Sequence, residues 1–147
     1  MKSKDIFKQL LPGVIVGLVL GFCLTMLVGV NTENPIPNFI GGAMCCLIPT
    51  LLNTIIVLFG TAKHLNRKLS FGTALLMTIP YAIVAGAIGF LVVSLIVTQI
   101  MGINTCELST IVTAIYEAIL GVVVSTLFAY FALKSYEKKV KYTRRDK

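Results

Sequence analysis

Apolar residues run through this chain in four long blocks separated by short polar segments: Leu11 to Val30, Phe39 to Gly60, Thr73 to Met101 and Ile111 to Leu133. A helix needs about 20 mainly apolar residues to cross a bilayer, whereas a membrane barrel strand needs only about 9–11. Every block meets the helical length, and none alternates polar and apolar residues as a barrel strand does. The pattern predicts an all-α membrane fold of four transmembrane helices in one domain over residues 1–147. The first block is longer than the roughly 7–15 apolar residues of a cleaved signal peptide, and no small-x-small pattern closes it, so it is expected to be retained.

The distribution of charge adds an orientation. Lys2, Lys4 and Lys8 precede the first block, Lys63, Arg67 and Lys68 follow the second, and the tail 134–147 carries Lys134, Lys138, Lys139, Lys141, Arg144, Arg145 and Lys147, which together are all 13 basic residues. The other two connections hold no Lys or Arg, only Glu33 and Glu107. The positive-inside rule therefore predicts a cell-membrane protein with both termini and the middle loop in the cytoplasm. That anchoring accounts for the net charge of +7 without nucleic acid, and anionic lipid headgroups are the expected partners of the tail. With 56% hydrophobic and 13% charged residues and a mean hydropathy of +0.90, the chain is not an ordinary soluble domain.

Two hairpins read as copies of one unit, about residues 8–68 and 73–138. Leu11-Pro12-Gly13-Val14-Ile15-Val16 with Gly21-Phe22 matches Ile79-Pro80-Tyr81-Ala82-Ile83-Val84 with Gly89-Phe90 at one constant offset. Gly29-Val30-Asn31-Thr32 then answers Gly102-Ile103-Asn104-Thr105, displaced by a further turn, and Asn53-Thr54 answers Ser125-Thr126. An even number of crossings per unit makes the repeat parallel, which implies a pseudo-twofold axis along the membrane normal. Lipid gives helices no hydrophobic reason to associate, so small residues and interhelical hydrogen bonds must hold them. Gly13, Gly17 and Gly21 form one small-residue stripe, and Ala85, Gly86 and Gly89 another. Because Gly17 answers Ala85 and Gly21 answers Gly89, the first and third helices are expected to meet near the axis. Pro49 is expected to kink the second helix, with Thr50, Asn53 and Thr54 satisfying the freed carbonyls. Pro12 is expected near a helix start. Pro80 falls inside a third segment of about 43 Å, which must tilt, break or leave the lipid.

Glu117 is the single ionisable residue within the blocks, and such a residue is a functional candidate by default. It reads either as a proton or cation site facing the bundle interior, with Asn53, Ser125 or Tyr116 beside it, or as a solvated interfacial carboxylate. Asn53, Thr54, Ser125 and Thr126 suit either a polar path at the repeat axis or plain interhelical hydrogen bonding. Cys23, Cys45, Cys46 and Cys106 read as small apolar residues. His64, the sole histidine, lacks companions at metal-ligand spacing. No catalytic set, phosphate-binding loop or Cys-x-x-Cys is present, so neither an enzyme nor a cofactor or metal site is expected.

In outline the chain resembles small bacterial membrane proteins that duplicate a two-helix hairpin around a short basic loop. The likeness is architectural and assigns no functional residue. It does not resemble the small multidrug exporters, whose essential acid lies in the first helix. Two functions are expected from these residues. One is an oligomeric transporter or channel for a small solute or ion, with a path past Glu117. The other is an accessory, immunity or assembly factor packed against another membrane protein. The face bearing Glu117, Gly121 and Ser125 discriminates between them, since a transport path turns it inward.

Overall fold

The structure, a computed structural model, describes residues 1–145, so Lys147 of the basic tail lies outside the described residues. It consists of α1 (Ser3–Val28), α2 (Pro35–His64), α3 (Phe71–Leu91) with a π-helical continuation (Val92–Ile100), and α4 (Thr110–Arg145). All four are long and apolar enough to cross a membrane. They run past the apolar blocks at the basic end, where the flanking polar residues keep winding, whereas the first and third stop just short of their blocks' other ends, at Val28 and Ile100. Pro12, expected near a helix start, consequently sits inside α1, with Ser3 to Gln9 wound before it.

The two polar turns at one end use the repeated Gly-x-Asn-Thr sequence in the same way. Gly29 and Gly102 take φ of 75° and 70°, where a side chain would be strained. The side chains of Asn31 and Asn104 each accept from the backbone N–H two residues on, at 3.0 and 3.1 Å, forming Asx turns. Asn34 caps α2 by accepting from the Ile36 N–H at 3.0 Å, just ahead of Pro35 in the first turn. Asn38 accepts from the Asn31 N–H at 2.8 Å, donates to the Asn31 carbonyl at 2.9 Å, and reaches Thr105 Oγ1 at 3.4 Å, which ties the two turns together. At the opposite end the Met1 ammonium pairs with Glu137, and Asp5 lies 3.9 Å from His64.

Helices α2 and α4 form the centre, and α1 and α3 flank them without touching one another. This corrects the expectation that the first and third helices meet. Each small-residue stripe instead lies against residues of the two central helices. Gly13 lies against Asn53, and Gly17 against Asn53 and Val122. Gly21 lies against the backbone of Ala118. On α3, Gly86 meets Leu47, Gly89 meets the Gly42 carbonyl and Cys46, and Ala85 packs with Cys46 and Val124. A flat stripe gains contact from a surface with relief, and α2 and α4 supply that relief.

Pro49 and Pro80 both lie inside helices that continue through them. Pro49 offers no N–H to the Cys45 carbonyl, the acceptor four residues back. Gly121 packs onto that carbonyl so closely that an added Cβ would lie 2.2 Å from its oxygen. The Thr50 and Thr54 hydroxyls have no hydrogen-bond partner, so they do not take over the freed carbonyl as expected. The third segment neither breaks nor stops. It widens into π turns, in which the Met101 N–H donates to the Ile96 carbonyl at 2.8 Å. Placing more residues in each turn absorbs part of the length that the third segment has in excess of the first.

Candidate functional site

Glu117 projects from α4 into the bundle and is 2% exposed. Gly121 and Ser125, at successive spacings of four, are buried on the same face, against Cys45 and Asn53 of α2. The Thr25 hydroxyl donates to Glu117 Oε2 at 2.8 Å, and the Cys45 thiol approaches the same oxygen at 3.5 Å. Three helices therefore converge on one carboxyl oxygen, while Oε1 faces Gly41, where an added Cβ would lie 3.6 Å away. Among the described residues no Lys, Arg or His forms an ion pair with Glu117.

Thr25 has a second acceptor in reach, the Gly21 carbonyl at 3.0 Å. A hydroxyl carries one proton and can also accept. It can donate to an ionised Glu117, or donate to Gly21 while accepting from a protonated Glu117. Either charge state of the acid is thus hydrogen-bonded without moving the backbone.

The carboxyl lines a cavity of about 390 Å³ between α1, α2 and α4, at the end that carries the Asn turns. Its walls are mainly apolar, with Leu24, Ile40, Met44 and Ile48 among the lining residues beside Thr25, Cys45 and Thr113. Thr113 lies one helical turn before Glu117, is 3% exposed, and its hydroxyl has no hydrogen-bond partner.

The other expected site residues fall elsewhere. Asn53 donates to Ser125 at 2.9 Å across the α2–α4 contact, two turns and roughly 12 Å along α4 from Glu117. Asn53 and Ser125 are therefore not the hydrogen-bond partners of Glu117, and Tyr116, its neighbour in sequence, makes no hydrogen bond to it. The hydroxyls of Tyr116, Thr54 and Thr126 are buried without a partner. Unpaired polar atoms recur along one face of α2, at Thr50, Asn53 Oδ1, Thr54 and Thr61. Among the described residues no group of three or more His, Cys, Asp or Glu is placed to hold a metal ion.

Thr25, Cys45 and Thr113 were not singled out as site residues from sequence. Two signals pointed to the first two. Thr25 continues the spacing of four from Gly13, Gly17 and Gly21. Cys45 precedes Glu117 by 72 residues, the separation that also relates Asn53 to Ser125. Residue type alone makes Cys45 a small apolar residue, whereas its thiol lies 3.5 Å from the carboxylate. No family model, curated protein or solved structure matches the chain.

Proposed function

We propose that the protein is a small membrane transporter in which Glu117 exchanges a proton or another cation at a cavity between its helices. The observation that carries this reading is a carboxyl buried among three helices, without a basic partner, on the wall of a cavity. The placement of Thr25 between Glu117 and Gly21 supports exchange, because neither charge state loses its hydrogen bond. The inward turn of the Glu117, Gly121 and Ser125 face favours transport over an accessory factor that packs the face against a foreign helix.

The reading includes two parallel hairpins around a twofold axis between α2 and α4, with the basic end cytoplasmic and the Asn-turn end outside. Residues related by a twofold touch one another only near its axis. The contacts Asn53–Ser125 and Cys45–Glu117, both at a separation of 72, support this arrangement. So do the matching approaches of Gly21 to Ala118 and of Gly89 to Cys46, since 118 and 46 differ by 72 as well.

The test is proton movement in proteoliposomes containing a pH-sensitive dye. Glu117→Gln keeps the shape of the side chain and should keep the elution profile and melting temperature, yet abolish proton movement. Undiminished proton movement in the folded variant would overturn the reading.

A further inference from the structure

The geometry points to an organic ammonium ion with an apolar body as the ligand of the Glu117 cavity, a proposal that rests on the transport reading and names its substrate class. Small-molecule sites are typically concave, mainly apolar, and carry a few convergent polar groups. The Glu117 cavity has that character and a volume of about 390 Å³. Its one acid is available for pairing. Both hydrogen bonds to Glu117 fall on Oε2, and Oε1 looks toward Gly41 with no donor bonded to it among the described residues.

The Thr113 hydroxyl is the second, independent sign of a ligand. Among the described residues it is almost fully buried, lines the same cavity and lacks a partner, and a buried polar atom left unpaired is costly. Thr113 and Glu117 stand four residues apart on one helical face, so their Cβ atoms are about 5–6 Å apart. A primary ammonium group between them can donate one proton to Oε1 and another to the Thr113 hydroxyl. The apolar body then lies against Leu24, Ile40, Met44 and Ile48.

Alternative ligand charges fit less well. An inorganic cation needs several oxygen ligands to replace its water, and here one of the convergent groups is the Cys45 thiol while most of the wall is hydrocarbon. An anion would meet an acid and no basic side chain. The rim includes Val28, Ile40 and Met44, all exposed on the outside of the bundle, which gives an apolar ligand a route from the lipid.

The experiment is equilibrium binding of phenethylammonium to the full chain in detergent, with 2-phenylethanol as a neutral counterpart of similar shape. Wild type should bind the ammonium at least about tenfold more tightly than the alcohol, because an ion pair in a low-dielectric pocket is worth more than in water. Glu117→Gln should erase that preference, and Thr113→Val should weaken the ammonium several-fold. If Glu117→Gln does not fold, Gly41→Ala takes its place. Its methyl group would sit at ordinary contact distance over Oε1 and should weaken ammonium binding without disturbing packing. Equal affinity for the two probes, or undiminished ammonium binding in every folded variant, would overturn the ligand class. Glu117-dependent proton movement without ammonium binding would overturn the ligand class and leave the transport reading standing. Glu117-dependent ammonium binding in a protein that moves neither protons nor the amine would support the site and overturn transport.

Discussion

A carboxyl group behaves differently at the two ends of α4. Among the described residues Glu117 is held by a hydroxyl and a thiol with no basic side chain paired to it, whereas Glu137, one turn past the apolar block, sits among cations. The Met1 ammonium donates to Glu137, and Lys141 Nζ lies 3.4 Å from it, so its carboxyl is held below the ordinary value of 4.5. A lowered carboxylate pKa contributes stability that is fully present above the unfolded value and is lost as pH falls through the folded one. Glu137→Gln should therefore lower the melting temperature at pH 7 by about 2–4 °C, as expected for losing one ion pair in a chain of this size. The difference from wild type should shrink from about pH 5 downward. Thermal melts of both proteins across that range decide the matter, and a constant difference would show that the ion pair is not its source.

Helix ends and helix faces follow different rules. The ends are local: Asn34, Ser70, Gly29 and Gly102 stop or start helices through hydrogen bonds and φ angles set by their own residue types. These signals stand in the sequence, which is why four helices can be read from it. The faces depend on partners. Gly121 draws α4 onto the Cys45 carbonyl that Pro49 leaves without a donor, a contact between positions far apart in the chain. Gly121→Ala should separate these helices and cost about 1–3 kcal/mol, the usual range for overpacking. Gly72→Ala, where nothing lies within 4 Å of the added Cβ, should be neutral or slightly stabilising in a helix. Unfolding titrations with sodium dodecyl sulfate in mixed micelles compare the two. Similar stabilities would mean that the α2–α4 contact is looser than the structure has it.

At the scale of the whole molecule, the basic residues divide the two ends of the bundle. If the basic end is cytoplasmic, a membrane-impermeant thiol reagent added outside intact cells should modify Cys106, and a single cysteine introduced at Ser135 should react only after permeabilisation. The reverse pattern would invert the orientation. The number of helices, their approximate limits and the charge asymmetry were legible in sequence because each follows from residue type over a short window. Glu117 was legible as a candidate because an acid in lipid is conspicuous by itself. Its partners were not. Thr25 and Cys45 reach Glu117 only because α1 and α2 both pack on α4, and the sequence pattern had instead suggested that the two glycine-bearing helices would meet. Small-residue stripes specify that a helix can be approached closely without specifying by which neighbour. That choice is made when the four helices fill one another's surfaces, and it alone turned a lone buried acid into one wall of a cavity.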